Sequence, residues 1–191
     1  GVSCNSRRQA DPKPSGAPEP SPAMIDAMTG GTDKAWPLDA RHAEFIQGPV
    51  SVIVASRNAG FVPDAVRGCG CRVSRDRRLV TVLVEPGRAS SFLDDIAANG
   101  MIAVVFSQPS THQTIQLKGA DARIVRVTAA DRAAARHHLR AWSEDLERIG
   151  FDVRFAAALH GGTGELAADP FTPAAAFQQT PGPTAGQPLK A

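Results

Sequence analysis

The feature that most constrains the fold is a series of apolar, β-branched runs that are joined mostly by tight turns. Runs of this kind, with turn residues at both ends, are typical of strands. They occupy residues 50–56, 65–74, 79–85, 101–107 and 114–127. Only the junction at 86–100 is long enough for a helix, whereas parallel strands need a crossover of a dozen or more residues at nearly every step. The sequence therefore predicts a mainly β (α+β) fold, an antiparallel barrel with helices packed outside.

Helices are predicted around these strands, and a last strand near residues 166–171. The predicted helices span residues 39–47, 91–100 and 128–150. The second and third each begin with a capping-box pattern, Ser91 with Asp94 and Thr128 with Asp131. In the third, apolar residues recur at helical spacing until a glycine ends it. It is the longest helix that the sequence predicts.

The two ends of the chain differ in composition from its middle. Residues 1–35 are rich in Pro, Ser, Gly and Ala, with scarcely any large apolar side chain before Met24. Such a segment buries too little to offset its ordering entropy. We predict a flexible arm at 1–35, one barrel domain at 36–180 and a tail at 181–191. A chain of 191 residues is long enough for one such domain.

Bulk charge and hydropathy exclude several classes of partner. A formal charge of +2 is too small to indicate nucleic-acid binding. No apolar run approaches the ~18 to 20 residues that a membrane helix needs. The N-terminal residues also lack the basic-then-apolar pattern of a signal peptide. We therefore expect a cytoplasmic protein that binds neither nucleic acid nor a membrane.

The cysteines and histidines do not have the spacing of a metal site. Zinc sites need about four ligands, and Cys69 and Cys71 have no second pair near them in sequence. We predict that both are small, buried, reduced residues. His137 and His138 are adjacent on a predicted helix, so they face different directions and cannot both chelate one ion unaided. The sequence therefore predicts no metal centre.

The stretch FSQPSTHQTIQLKG, residues 106–119, carries evenly spaced polar groups on a predicted strand. On a period of two, Thr114, Gln116 and Lys118 share one face. Ile115 and Leu117 share the other face and are expected to fill the barrel. The polar face fits two interpretations: a solvent-facing strand, or the edge of a pocket for a polar, phosphorylated ligand.

Several segments together resemble the pyridoxamine 5'-phosphate oxidase-like group of FMN-binding split barrels. They are residues 48–86, 92–100, 101–119 and 177–183. The best-marked piece is a helix ending in Asn99 and Gly100, where the family usually has Asn-Pro, then a strand, a turn and a strand ending in Gly119. The resemblance spans about residues 41–186. It implies a six-stranded antiparallel Greek-key split barrel, a homodimer, and two FMN sites at the dimer interface.

The resemblance also implies a set of cofactor ligands. An arginine on the family's second barrel strand matches Arg67, which is suited to clamp a phosphate. A family glutamine falls on or beside Gln113 and Thr114. The family's Arg-Lys pair at the start of the inserted helix falls at Ser91 and Phe92, which is a departure. The predicted FMN ligands are Arg67, Arg88, Ser90, Ser91, Gln113, Thr114, Gln116 and Lys118.

In this set Arg88, with Ser90, Ser91 and the free amides of the helix N-terminus, substitutes for the missing basic pair. The C-terminal tryptophan and arginine by which the true oxidase recognises its vitamin substrate have no counterpart in residues 177–191. The resemblance thus implies a flavin-dependent oxidoreductase of unknown small substrate. The alternative is a non-catalytic barrel that holds haem, another cofactor or none. No catalytic residue is predicted, since a flavin itself carries the hydride step.

Overall fold

The computed structural model describes residues 38–160 and 164–189, all within one compact unit that begins at Asp33. The arm predicted at residues 1–35 lies outside the described residues. Helices are α1 (Ala40–Ile46), α2 (Ser90–Asn99), α3 (Ala129–Arg148) and α4 (Val153–His160), with a 3-10 turn at Pro86–Arg88. Strands are β1 (Ser51–Arg57), β2 (Pro63–Val73), β3 (Val80–Val84), β4 (Ile102–Ser107), β5 (Thr114–Gly119), β6 (Ala167–Phe171) and β7 (Ala175–Gln178).

All of these strands belong to one antiparallel sheet in the order β6-β3-β2-β1-β4-β5-β7. The predicted number of six strands is wrong, because the short strand β7 pairs with β5 and makes a seventh. Strands β3, β2, β1 and β4 form a Greek key. After β5, the amides of Arg123 and Val125 donate to carbonyls of β6, over 3.3 and 2.9 Å. The chain thereby links the two sides of the sheet and curls it.

The core lies on the inner face of this curled sheet. In β1 and β4 every second residue is buried, which is the alternation expected of strands with one face on a core. Inward side chains that are fully buried include Val52, Val54, Val104, Phe106, Ile115 and Leu117. The predicted inward orientation of Ile115 and Leu117 is therefore confirmed. Helix α2 adds Phe92, whose complete burial contributes roughly 1.5–3 kcal/mol.

A bulge in β2 changes which residues face the core. The register with β3 shifts between Gly68 and Gly70, so Cys69 faces outward beneath α3 while Cys71 faces inward. Gly68 is required there because a Cβ atom would lie 2.7 Å from Cγ1 of Val52. The two thiols are buried and unoxidised, as the sequence predicts.

Two of the three expected helix starts agree with the structure. The Asp39 carboxylate accepts from the His42 amide at 2.7 Å, and Thr128 and Asp131 form a reciprocal capping box. The capping box expected from Ser91 and Asp94 is wrong. Helix α2 already begins at Ser90, after the 3-10 turn, and has no side-chain cap. In the described ranges no helix has the length and apolar character needed to cross a membrane.

Candidate functional site

The polar strand β5 lies on an outward surface that four other strands share. Directly paired residues of antiparallel strands point to the same side of a sheet. One cross-strand row on the outward side contains Arg67, Ile53, Val105, Gln116 and Phe177. The row above it contains Ser51, Ser107 and Thr114, and the row below it Ala65, Ala55, Ala103, Lys118 and Ala175. We call these three rows the outer face.

Arg67 marks one end of the middle row. Its Nη1 donates to the hydroxyl of Ser51 at 3.1 Å, and its Cζ lies 5.4 Å from the centre of the Trp142 ring. The residue as a whole is half-buried. The indole of α3 and the hydroxyl of β1 thus fix the direction of the guanidinium along the sheet.

The other end of the outer face is polar. The hydroxyls of Thr114 and Ser107 share a hydrogen bond of 2.8 Å, and the Thr114 amide donates to the Thr180 hydroxyl. The Gln179 amide donates weakly to Oε1 of Gln116, over 3.5 Å. Lys118 Nζ lies 5.2 Å from the Phe177 ring. Thr114, Gln116 and Lys118 therefore share one face, as the period of two predicts, and their amide, hydroxyl and ammonium groups can meet a polar ligand.

A half-buried apolar floor separates these two ends. Ile53 and Val105 lie between Arg67 and Gln116 in the middle row. Three strand spacings put the two polar ends roughly 14 Å apart along the sheet. Within one chain, Arg67 and Gln116 are therefore too far apart to bind the same small group. A single ligand could contact both only if it were flat and long enough to span the floor.

The remaining predicted ligands lie elsewhere. Gln113 lines an open polar groove of about 250 Å³ beside α1, where its neighbours are Arg41, His42, Glu44 and Phe45. Ser90 and Ser91 are exposed at the start of α2. Arg88 is 62% exposed, and its Nε lies 3.2 Å from a carboxylate oxygen of Glu85. Phe92, one of the two residues at the position of the family's basic pair, is fully buried in the core.

The Cys69 thiol interacts with charges from both sequence-predicted arginines at the phosphate end. Burial, and to a lesser extent the charge of Glu85, raise the pKa of this thiol to about 11, although Arg88 and Arg67 lower it. The same burial keeps Cys69 protonated at neutral pH, so it is a poor nucleophile.

Sequence reasoning missed Ser51 and Ser107, which stand at the ends of their strands and carry no pattern of their own. Only the register brings Ser51 to Arg67 and Ser107 to Thr114. Within the described ranges, no group of His, Cys, Asp or Glu side chains could hold a metal ion.

Comparisons with known proteins give similarity of fold. No family model and no curated protein matches the sequence. The solved structure of HupZ from Group A Streptococcus is 15% identical over 78% of this chain and all of its own, with a TM-score of 0.48. General stress protein 26 from Bacillus anthracis is 12% identical over 77% of this chain and 93% of its own, with a TM-score of 0.43.

A third structure, from Clostridium acetobutylicum, is described as related to general stress protein 26 and as belonging to the pyridoxinephosphate oxidase family. It is 14% identical over 68% of this chain and 80% of its own, with a TM-score of 0.39. The family named for that protein is the one that the sequence of this chain resembles.

Proposed function

We propose that this chain is an FMN-binding split-barrel protein that acts as a cytoplasmic homodimer and passes reducing equivalents to a small substrate. The observation that carries the proposal is the middle row of the outer face, where a guanidinium and an amide bound an apolar floor. A true pyridoxamine phosphate oxidase activity is not part of the proposal.

The donors of the outer face suit the parts of FMN. A phosphate calls for charge-assisted donors, which Arg67 supplies on the outer face; Arg88, Ser90 and Ser91, which lie outside that face, are proposed to add to it. The ring edge calls for amide, hydroxyl or ammonium groups, which Gln116, Thr114 and Lys118 carry. Gln113 is proposed as a further ligand from the groove beside α1. The half-buried floor of Ile53 and Val105 offers the isoalloxazine an apolar surface. When bound, FMN supplies the hydride or electron transfer itself.

A second copy of the chain would complete this site. In a two-fold symmetric dimer, the same patch of both subunits meets face to face, and the strands of the two patches run in opposite directions. Arg67 of one chain would then approach Gln116 of the other, although the two are roughly 14 Å apart within one chain. The symmetric arrangement creates two equivalent sites, and it covers Ile53, Val105 and the alanines around them.

The first experiment is an absorption spectrum of the untreated protein, followed by FMN titration with fluorescence quenching and by analytical ultracentrifugation. We expect flavin bands or micromolar uptake of FMN, in a dimer. A colourless protein that takes up no FMN at micromolar concentration would refute the proposal. A monomer that binds FMN would refute the shared site alone.

The altered phosphate end favours a second candidate, a non-catalytic barrel that binds haem, another cofactor or none. Phe92 is buried where the family has a basic residue, and Arg88 is already paired with Glu85. The same spectrum separates the two candidates, because bound haem gives a Soret band and bound flavin does not.

A further inference from the structure

The loop between β4 and β5 is anchored to helix α3 by one buried carboxylate. Asp145 has no exposed surface. Its oxygens accept hydrogen bonds from Nε2 of Gln108 at 3.2 Å, and from the amide and hydroxyl of Ser110 at 3.0 and 2.6 Å. The nearest cation, Arg148, is 68% exposed and stands 3.8 Å away. Hydrogen bonds from the loop are therefore the main compensation for burying this carboxylate.

Burial of a carboxylate is costly unless donors replace its water. An apolar residue could join a helix to a loop without that cost. A carboxylate does something more specific, since it fixes the directions of the groups that donate to it. Here it orients the backbone of Ser110 and the side chain of Gln108 at the same time.

The anchored loop has a constrained conformation of its own. His112 has a φ of 59°, in the left-handed region that non-glycine residues seldom adopt. The His112 amide donates to the Gln108 carbonyl, and the Gln108 amide donates to the Gln113 carbonyl, each over 2.9 Å. A residue in this region persists only where its surroundings hold it. The bonds to Asp145 are part of those surroundings.

The loop leads directly into the polar end of the outer face. Gln113 and Thr114 follow His112, and Thr114 begins β5. One turn before Asp145 on the same helix, Trp142 packs against the Arg67 guanidinium. Residues three apart lie on the same side of a helix. Helix α3 therefore contacts Arg67, at the basic end of the outer face, through Trp142. Through Asp145 it contacts the β4–β5 loop, which precedes the polar end of that face.

We propose that Asp145 is a positioning residue, which sets the β4–β5 loop, and through it Thr114, at a fixed distance from Arg67 for a bound flavin mononucleotide. The inference rests on the proposed function for its ligand. Its first part, the setting of the loop by Asp145, concerns the chain alone and is measurable without any ligand.

The test uses two variants of the full chain. Asp145→Asn keeps the shape of the side chain but turns one acceptor into a donor, which then faces the donor of Gln108. The double variant Gln108→Glu with Asp145→Asn reverses both roles and restores the hydrogen bond. The control is Asp131→Asn, since Asp131 is a second buried carboxylate of α3 whose partners are Thr128 and Arg72.

Hydrogen exchange of the amides at residues 110–114 and FMN titration are measured on each variant. For Asp145→Asn we expect faster exchange at 110–114 and roughly tenfold weaker FMN binding, the loss expected for one charged hydrogen bond. Both should return towards wild type in the double variant. Asp131→Asn should lower the melting temperature and leave FMN affinity unchanged.

Unchanged exchange at 110–114 in Asp145→Asn would overturn the inference. So would faster exchange with unchanged FMN affinity, because Asp145 would then serve stability alone. A wild-type protein that does not bind FMN would refute the proposed function and the ligand part of the inference, while the exchange data would still decide whether Asp145 sets the loop.

Discussion

Asp169 gives a prediction that is easily tested, because it is a carboxylate buried in the barrel with no neutralising partner among the described residues. It lies on β6 opposite Val82, on the inward side with Ala167 and Phe171. It has no exposed surface, and neither of its oxygens has a hydrogen-bond partner in the described part of the chain. Burial raises the pKa of Asp169 from 3.8 to about 7.

The sign of the effect on stability follows from proton binding. The folded chain holds a proton on Asp169 at pH values where the unfolded chain has lost it. The contribution of Asp169 to the free energy of unfolding is therefore highest below about pH 4, falls as the pH rises towards 7, and then levels off. Each pKa unit corresponds to about 1.36 kcal/mol, so a difference of about three units amounts to ~4 kcal/mol.

The substitution that tests this is Asp169→Asn, which keeps the size of the side chain and removes its charge. Urea unfolding, followed by tryptophan fluorescence, would be measured for both proteins at pH values from 5 to 8. Relative to wild type, we expect the variant to gain ~3 kcal/mol between pH 5 and pH 8, which is the part of the ~4 kcal/mol that falls between pH 5 and the folded-state pKa of about 7.

A control of opposite sign is Asp131→Asn. Burial opposes ionisation of Asp131, but hydrogen bonds from Thr128 and from Arg72 outweigh it and lower the pKa of this carboxyl. Its contribution is present above the usual pKa of 3.8 and is lost only as the pH falls below that value, so the deficit of this variant should stay constant from pH 5 to 8 and shrink below about pH 4, where this variant is measured as well. If Asp169→Asn had the same pH dependence of stability as wild type, the reasoning on its burial would be refuted.

The remaining predictions concern the proposed FMN site and the dimer interface. Arg67→Ala should weaken FMN binding by ~2–3 kcal/mol, about 30- to 150-fold, while the exposed Arg136→Ala should not; equal affinities in a quenching titration would mean that the phosphate lies elsewhere. Ile53→Asp should weaken dimerisation by at least ~2 kcal/mol in sedimentation, and an unchanged dimer would place the interface on another surface. Glu85→Gln should release Arg88 and tighten FMN up to about fivefold without affecting riboflavin, so an equal gain for both ligands would contradict a role at the phosphate.

The strands were predictable wherever one face is buried and the pattern is local. The alternation in β4 and β5 reveals both the element and the side that faces the core. Strand β7 was missed because its four residues, AAFQ, have no alternation of their own and become a strand only by pairing with β5. Helix α4 was missed as well, since the last helix that the sequence predicts ends at residue 150.

Capping patterns show the same limit. Thr128 and Asp131 form their box, but Ser91 and Asp94 do not, although the two patterns look alike in the sequence. The difference comes from what precedes each helix. A 3-10 turn at Pro86–Arg88 brings the chain into α2 one residue early, so Ser91 is already inside the helix. A local pattern cannot report that geometry.

In the candidate site, too, the local pattern was predictable from the sequence and the relation between distant residues was not. The common face of Thr114, Gln116 and Lys118 follows from the period of two and needs no structure. The relation of that face to Arg67 depends on the order β2-β1-β4-β5, which interposes Ile53 and Val105.

The order of the strands also explains why a shared site is the economical reading of the outer face. If the basic and polar ends adjoined each other in one chain, a monomer would suffice, and the half-buried floor between them would have no use. Their separation makes sense when a second copy runs in the opposite direction and brings each end to its complement. Because α3 packs against Arg67 through Trp142 and holds the β4–β5 loop through Asp145, both ends are ordered before any ligand arrives. If the chain binds FMN as proposed, less entropy would then be lost on binding, which would offset part of the affinity given up at the altered phosphate end.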